Sequence, residues 1–258
     1  MLAPASDPLA AFRLDGRVVV ITGASSGLGA GFAHAVAAVG GQLVLAARRE
    51  DRLKALAEDL RATGATVITQ VTDVSDPQAC AALVETTVAQ LGGVDVLVNN
   101  AGIGGAVPAT REAPEAFQAV LDVNLLGTFL MAQACARVMA PGSSIVNVAS
   151  VLGLVASRFP QAAYSASKAG VIGLTRDLAQ QWSGRKGIRV NVLCPGYFLT
   201  EMTEGDSDKL TSVVTDNTML GRFGVQSELD SALLFLAAPA SAYVTGTVLT
   251  VDGGLTAL

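Results

Sequence analysis

The sequence predicts one α/β domain built on a doubly wound parallel sheet of about seven strands flanked by helices. Short runs of apolar and β-branched residues alternate along the chain with longer helix-like segments. Several of these runs do not alternate apolar with polar residues, which is typical of strands covered by helices on both faces. No linker rich in Pro, Gly or Ser divides the 258 residues, so we expect a single domain.

The elements follow each other in a strand–helix order. Strands are predicted at 18–21, 43–45, 67–68, 94–98, 144–148, 190–193 and 248–251. Helices are predicted at 49–61, 76–90, 113–139, 161–182 and 227–237, with a further helix from residue 30. Residues 1–13 are interpreted as an N-terminal extension, residues 14–258 as the domain, and residues 200–222 as a polar lid with little regular pattern.

Composition and charge disfavour several classes of protein. The chain has 17 Lys+Arg against 22 Asp+Glu, a net charge of −5, which argues against a nucleic-acid partner. With 51% hydrophobic and 15% charged residues, it is not a disordered chain. No signal peptide is evident, and polar residues break the uncharged run 231–251, so we expect a soluble protein without a membrane partner.

The cysteines indicate a reducing compartment. Cys80, Cys135 and Cys194 are odd in number and far apart, which fits neither a disulfide framework nor a zinc site. We interpret them as small buried residues of a cytoplasmic protein and expect no metal.

The predicted helix at 117–139 carries apolar residues on almost every face. Such a helix must be covered on both sides. One side is expected to lie on the sheet and the other against a second subunit, so we expect a homo-oligomer.

A glycine-rich turn follows the first predicted strand. Its sequence is Thr22-Gly-Ala-Ser-Ser-Gly-Leu-Gly29, and a helix-like segment comes next. In this context glycines let the backbone approach a diphosphate, and the helix N-terminus attracts its charge. The glycine spacing is wider than in the common dinucleotide fingerprint, and a tight turn without a ligand is the alternative.

The end of the second predicted strand bears on the choice of nucleotide. A carboxylate there favours NAD, whereas an arginine can pair with a 2′-phosphate. This sequence has Arg48 and Arg49, with no acid before Glu50, and a guanidinium suits a phosphate. NADP(H) is therefore favoured and NAD(H) remains possible; alternatively, the arginines form a solvated helix start.

Tyr164 and Lys168 are four residues apart, on one face of a predicted helix. A free tyrosine, with a pKa of about 10, transfers protons poorly at neutral pH, and an adjacent cation lowers that pKa. Ser150 ends the fifth predicted strand, at the sheet edge where such sheets bind ligands. By spacing alone, simple packing of the Tyr and Lys is the commoner outcome.

Taken together and in this order, six motifs resemble the short-chain dehydrogenase/reductase family. They are Thr22-Gly-x-x-x-Gly-x-Gly29, Asn99-Asn-Ala-Gly102, Asn124, Ser150, Tyr164-x-x-x-Lys168 and Pro195-Gly196, and the similarity covers about residues 14–258. The resemblance implies a Rossmann-like oxidoreductase that moves a hydride between a nicotinamide dinucleotide and a ketone or secondary alcohol, often as a tetramer. The spacing from Ser150 to Tyr164 is fourteen positions (164 − 150), one more than is usual in the family, and we expect the extra residue in the loop 157–160.

The resemblance also implies roles for individual residues. Tyr164 would donate or accept the proton, Lys168 would lower the Tyr164 pKa and bind the nicotinamide ribose, and Ser150 would hold the substrate oxygen. Asn124 would hold a water that relays protons from Lys168. Residues implied at the cofactor are Gly23, Ser25, Ser26, Gly27, Leu28, Gly29, Arg48, Arg49, Asp73, Val74, Asn100, Ala101, Gly102, Tyr164, Lys168, Pro195, Gly196, Phe198 and Thr200.

Three polar residues have simpler interpretations. Asp73 could instead cap the helix that follows it. Asn99 is expected to brace the sheet, and His34, the only histidine, is expected to be structural.

The expected substrate pocket is mainly apolar, which favours a neutral or weakly polar ketone. Arg158 or Arg222 could still reach an acidic substrate group. The favoured function is an NADP(H)-dependent carbonyl reductase, a ketoreductase; alternatives are an NAD-dependent alcohol or polyol dehydrogenase, a 3-oxoacyl thioester reductase, and a non-catalytic dinucleotide-binding protein. The pocket lining is expected from Ile103, Gly104, Leu152, Val155, Tyr197, Phe198 and residues 202–222.

Overall fold

A computed structural model describes residues 7–199 and 207–257, with side chains described outside 207–210. Its centre is a seven-stranded parallel sheet in the order β3-β2-β1-β4-β5-β6-β7. The order reverses between β1 and β4, and in open sheets of this kind a ligand crevice forms at the carboxyl ends of these strands. The strands are β1 (Val18–Thr22), β2 (Gln42–Ala47), β3 (Val67–Val71), β4 (Val96–Asn99), β5 (Ser144–Val148), β6 (Arg189–Pro195) and β7 (Val248–Val251).

Helices cover both faces of this sheet. Within the described residues they are α1 (Gly27–Ala38), α2 (Glu50–Ala62), α3 (Pro77–Leu91), α4 (Pro114–Leu121), α5 (Gly127–Val138), α6 (Ala162–Lys186), α7 (Ser207–Asn217) and α8 (Gln226–Ala237). Side chains of α1, α2 and α8 form one core cluster with the sheet, and side chains of α3, α5 and α6 form another. The doubly wound architecture predicted from the sequence is confirmed, with all seven strands.

Local sequence sets several of the helix ends. Asp76 caps α3 by accepting from the amide of Gln78 at 2.8 Å, and Pro77 occupies the first turn, where its missing N–H is not needed. Gly92 ends α3 with a φ of +86°, and Gly187 ends α6 with a φ of +66°. Glycine adopts this left-handed conformation without a Cβ penalty.

Two predicted segments differ from the structure. The single helix expected at 113–139 is divided into α4 and α5 by a π-helical turn, Asp122–Leu126. The predicted lid at 200–222 contains a regular helix, α7, rather than only irregular chain. Its polar composition, with Thr, Asp and Ser, hides the helical periodicity because few positions are apolar.

One stretch, Pro114–Val138, is by length and composition alone apolar enough to cross a membrane. Its face formed by Met131, Ala132 and Cys135 is fully buried against the sheet. Leu126 and Val138 on this stretch are exposed, at 43% and 42% of their surface. The apolar face away from the sheet is therefore present as the sequence analysis expected.

Two smaller expectations agree with the structure. The uncharged run 231–251 is a helix, a short 3-10 turn and a strand. Cys80, Cys135 and Cys194 are free and buried. Part of the N-terminal extension forms a 3-10 turn, Ala10–Phe12, whose Phe12 ring lies 6.3 Å from that of Phe235.

Candidate active site

The glycine-rich turn after β1 is held against the turn after β4. Asn100 Nδ2 donates to the carbonyl oxygens of Thr22 at 3.0 Å and Gly23 at 3.2 Å. Gly23 has a φ of +64°, and a Cβ there would lie 2.7 Å from the Cα of Ala101. A Cβ on Gly29 would lie 2.5 Å from Asn100 Nδ2. Both positions therefore require glycine, because the two turns touch through their backbones.

The N-terminus of α1 fits a diphosphate. Helix α1 begins at Gly27, and the side chain of its N-cap residue, Ser26, does not cap the helix. The amides of Leu28 and Gly29 lie in the first turn, where N–H groups and the helix dipole favour an anion. This cradle, closed by glycines that leave no room for a side chain, is what a dinucleotide diphosphate needs.

Arg49 reaches across from the end of β2 to this turn. Its Nη2 donates to the hydroxyls of Ser25 at 3.1 Å and Ser26 at 2.5 Å, and its Nε donates to Ser25 at 3.2 Å. Arg48 is exposed and carries its charge near Asp73. The two guanidinium groups and two hydroxyls form a positively charged, hydrogen-bonding edge beside the glycine turn, which suits a phosphate.

Asp73 begins a turn before α3 rather than capping the helix itself. Its Oδ1 accepts from the hydroxyl of Ser75 at 2.7 Å and from the Ser75 amide at 3.0 Å, and these bonds lower the Asp73 pKa. Asp76 is the N-cap. The side chain of Val74 is buried against Gly127 of α5, so only its backbone is available to a ligand.

The three residues expected to perform catalysis lie together beyond β5. Ser150 follows the strand; its Oγ accepts from the Leu152 amide at 3.1 Å, and its interaction with the phenol acts to lower the Tyr164 pKa. Lys168 follows Tyr164 by one turn of α6, with its Nζ 5.6 Å from the centre of the Tyr164 ring. This Nζ donates to the carbonyl oxygen of Val148 at 2.8 Å, and Lys168 is only 4% exposed. Gly104 lies under the Tyr164 ring, where a Cβ would be 2.7 Å from Cδ2.

The electrostatics of this group differ from the expectation in one respect. Burial raises the pKa of Tyr164, and the interaction with Ser150 opposes that rise only in part. Burial also lowers the pKa of Lys168 to about 8. The expected lowering of the Tyr164 pKa by Lys168 is therefore not produced by these side chains alone, because desolvation dominates for both groups.

Asn124 lies in the π-helical turn between α4 and α5, a type of distortion that often marks a functional site. Its Oδ1 accepts from the Ile103 amide at 2.8 Å, and its Nδ2 donates to the Ile103 carbonyl oxygen and to the Ser167 hydroxyl, both at 2.9 Å. A Cβ on Gly102 would lie 3.3 Å from Asn124 Oδ1 and 3.4 Å from Lys168 Nζ. The side chain thus holds the loop after β4 beside Lys168, and its role with water stays a prediction.

Asn99 braces the sheet from within. Its Nδ2 donates to Asn147 Oδ1 at 2.9 Å and to the Thr128 carbonyl oxygen at 3.1 Å. Asn147 in turn donates to the Thr175 hydroxyl at 2.9 Å. This buried chain of amides links β4, β5, α5 and α6, and it satisfies polar groups that would otherwise destabilise the core.

The segment after β6 closes the other side of the crevice. The Gly196 amide donates to the Val251 carbonyl oxygen at 2.9 Å, and a Cβ on Gly196 would lie 2.6 Å from Asp252 Cα. Phe198 is 5% exposed and packs into the core between the sheet and α8. Its ring is therefore part of the core, and its contact with the cofactor stays a prediction. Thr200, predicted at the cofactor, lies outside the described residues.

The two arginines considered for acidic substrates both have protein partners. Arg222 forms a two-point ion pair with Glu228, at 2.7 and 2.9 Å. Arg158 donates to Asn217 Oδ1 of α7 at 2.8 Å, which joins the loop before α6 to the lid helix. That loop, where the extra residue was expected, is stabilised by a bond of 2.9 Å between Ser157 and the side chain of Gln161. His34 lies 3.6 Å from Asp59 on the surface of α1.

Sequence reasoning did not assign three groups that organise the site. The Thr22 hydroxyl accepts from the amides of Asn100 and Ala101, both at 3.1 Å. Ser167 holds Asn124, and the carbonyl oxygen of Val148 holds Lys168. Thr22 and Ser167 are small polar residues within quoted motifs and could have been singled out, whereas a backbone carbonyl leaves no signal in the sequence.

Comparisons with known proteins define the class of enzyme to which this chain belongs. A family model described as "Enoyl-(Acyl carrier protein) reductase" matches residues 23–256. The galactitol 2-dehydrogenase (L-tagatose-forming) of Cereibacter sphaeroides is 42% identical over 252 residues, covering 95% of this chain and 97% of that protein. A 3-oxoacyl-(acyl-carrier-protein) reductase of Thermotoga maritima is 39% identical, covering 94% and 99%.

A solved structure of a related enzyme is also similar to this chain. The gluconate 5-dehydrogenase of Burkholderia cenocepacia J2315, solved in complex with NADP and tartrate, has a TM-score of 0.91 and 36% identity. The match covers 98% of this chain and 100% of that one. The fold and the site define a nicotinamide-dinucleotide-dependent oxidoreductase. The chain belongs to the short-chain dehydrogenase/reductase family, as its motifs indicated.

Proposed function

We propose that this protein is an NADP(H)-dependent reductase that interconverts a neutral ketone, or hydroxyketone, and its secondary alcohol. The observation that carries the proposal is the grouping of Ser150, Tyr164 and Lys168 at the carboxyl edge of β5, opposite the glycine turn that Arg49 contacts. A general acid held by a hydroxyl and a buried cation is the chemistry that carbonyl reduction requires.

Proposed roles follow from these contacts. When bound, the cofactor supplies or accepts the hydride. The Ser150 hydroxyl orients the substrate oxygen, and Tyr164 Oη gives its proton to that oxygen during reduction or takes it back during oxidation. The Lys168 ammonium favours the phenolate that forms, and Asn124 positions the loop beside it.

The predicted cofactor residues within the described part of the chain have the following proposed places. The turn from Gly23 to Gly29 binds the diphosphate, and Arg48 and Arg49 bind the 2′-phosphate. Asp73 and the Val74 backbone lie at the adenine, and residues 100–102 run along the cofactor. Pro195, Gly196 and the Phe198 backbone lie at the nicotinamide end.

The choice of NADP(H) rests on the charged edge formed by Arg48 and Arg49. A neighbouring structure of the family contains NADP, which is consistent with this choice. Neutral substrates are favoured because Arg222 is paired with Glu228 and Arg158 is bonded to Asn217. A polyol dehydrogenase is the second candidate, because the 42% identical relative is a galactitol dehydrogenase.

The test is to follow consumption of NADPH and of NADH with aldehydes, neutral ketones, hydroxyketones and acidic ketones. The proposal expects turnover of neutral ketones with a higher kcat/KM for NADPH. Faster turnover with NADH would contradict the choice of cofactor and leave the chemistry intact. Turnover confined to acidic ketones would contradict the substrate class.

We also propose a cytoplasmic homotetramer, with residues 1–13 as an extension of the domain 14–258. Free buried thiols fit a reducing compartment. The exposed apolar residues Leu126, at the end of the π-helical turn, and Val138, at the end of α5, belong to the surface that a second subunit would cover. Light scattering after size exclusion measures the mass, and a monomer would contradict this assembly.

A further inference from the structure

The cavity between the ends of β6 and β7 and the segment from α7 to α8 has five polar side chains in its wall: Tyr197, Thr218, Arg222, Glu228 and Asp252. Four of them are fully used within the protein. Arg222 and Glu228 bond to each other, and the Thr218 hydroxyl donates to the Val214 carbonyl oxygen at 2.8 Å and accepts from the Gly221 amide at 3.1 Å.

Asp252 is committed to the C-terminal turn. Its Oδ1 accepts from the Gly254 amide at 3.0 Å, and its Oδ2 accepts from the Thr256 amide at 2.9 Å and the Thr256 hydroxyl at 2.6 Å. The fifth polar group, the Tyr197 hydroxyl, makes no hydrogen bond with any residue in 7–199 or 207–257. It is thus the polar group of this wall that is left for a ligand.

Tyr197 is also fixed in place and close to the reacting groups. Its carbonyl oxygen accepts from the Gly224 amide at 3.0 Å, so the backbone is held between β6 and α8. Strands β5 and β6 pair side by side up to Val148 and Leu193, so Ser150 and Tyr197 follow the ends of neighbouring strands at the same edge of the sheet. Partial burial raises the pKa of Tyr197 itself, so its hydroxyl stays protonated at neutral pH and is able both to donate and to accept.

We propose that Tyr197 is a specificity-determining residue that hydrogen-bonds a second oxygen of the substrate, next to the carbonyl carbon that Tyr164 and Ser150 serve. The inference rests on the proposed function and deepens it: the substrate class is an α-hydroxyketone and the matching vicinal diol. The Tyr197 hydroxyl is open to the solvent that fills the cavity, so a substrate hydroxyl bound there would take the place of water as its partner.

The experiment compares Tyr197→Phe with the wild type on two substrate pairs that differ only by the second oxygen. The pairs are 3-hydroxy-2-butanone with 2-butanone, reduced with NADPH, and 2,3-butanediol with 2-butanol, oxidised with NADP. Phe keeps the ring, so packing is preserved while the hydroxyl is lost. Tyr243→Phe is the control, since that phenol is fully exposed and outside the cavity wall.

We expect Tyr197→Phe to lower kcat/KM about tenfold for the two dioxygenated substrates, about 1.4 kcal/mol. The kcat/KM for 2-butanone and 2-butanol should change less than about twofold, with the KM for NADPH unchanged, and Tyr243→Phe should change none of these. An equal loss on both members of a pair would overturn the inference, because it would mean a structural role. No loss on either member would also overturn it. If the wild type turns over none of the four substrates with either nucleotide, the proposed function fails first and the inference falls with it.

Discussion

One half of the crevice is lined mainly by backbone and the other half mainly by side chains. On the side of β1 and β4, the walls are backbone: Gly23 and Gly29 touch the turn after β4, and Asn100 bonds to carbonyl oxygens. On the side of β5 to β7, the walls are side chains, such as Tyr164 and Tyr197, and loops such as the one that contains Arg158.

This difference predicts which property a substitution in each half of the crevice should affect. The shape of a backbone cradle is fixed, since a side chain added at Gly23 or Gly29 would collide with its neighbours. A wall of side chains can be altered by single substitutions without moving the fold. Variants in the first half should therefore weaken cofactor binding, and variants in the second half should lower turnover or change the substrate.

Ser150→Ala should have a larger effect than Gly29→Ala or Arg49→Ala. The Ser150 side chain acts on the Tyr164 phenol, and its loss removes the group proposed to orient the substrate oxygen. We expect kcat to fall about 100-fold or more, with the Kd for NADPH unchanged, measured by steady-state kinetics and fluorescence titration. Ser231→Ala on the exposed face of α8 is the control. A higher Kd for NADPH with an unchanged kcat would contradict the distinction between the two halves of the crevice.

Gly29→Ala should show the opposite pattern. The new Cβ would collide with Asn100 Nδ2, so the turn must shift away from the diphosphate. We expect the Kd for NADPH to rise about tenfold or more, as measured by fluorescence titration. Gly173→Ala in α6 has free space around the added Cβ and should bind NADPH normally. Equal binding by both variants would contradict the backbone cradle.

The pH dependence of reduction tests the proposed role of the Lys168 ammonium. Burial lowers the pKa of Lys168 from 10.5 to about 8, so the ammonium is present at pH 7 and is lost as the pH rises through about 8. Because the ammonium favours the phenolate formed during reduction, kcat/KM for reduction should fall above this pH, approaching about tenfold per pH unit. A profile that stays flat to pH 10 would remove Lys168 from this role.

Arg49→Ala should have a smaller effect than Ser150→Ala or Gly29→Ala. Arg49 contacts Ser25 and Ser26 beside the glycine turn, and Arg48 would remain at the same edge. We expect the ratio of kcat/KM for NADPH over NADH to fall about fivefold to tenfold. Lys54→Ala, an exposed cation of α2 paired with Glu50, should leave the ratio unchanged. An unchanged ratio in Arg49→Ala would contradict a 2′-phosphate contact there.

The regular strands and helices of the fold could be predicted from the sequence. Uninterrupted β-branched strands and their alternation with helices predicted the seven-stranded sheet, because burial on both faces leaves a continuous apolar run. The motif residues Ser150, Tyr164 and Lys168 were predicted at one edge, and the structure brings them together.

What the sequence did not predict depends on contacts between distant segments. The π-helical turn at Asn124 and the helix α7 interrupt or replace the expected pattern, since hydrogen bonds to Ile103 and Ser167 fix the first and polar residues obscure the second. The pKa directions of Tyr164 and Lys168 also depend on burial, which spacing alone does not reveal.

The most direct test of the central claim is NADPH oxidation by a neutral ketone, measured with the wild type and with Tyr164→Phe. If Tyr164 is the proton donor, the wild type turns over and the variant loses about 100-fold to 10,000-fold in kcat. Its Kd for NADPH should stay the same, because only the hydroxyl is removed and the ring is kept. Equal turnover by the two proteins would show that the proton comes from another group, and the proposed mechanism would be wrong.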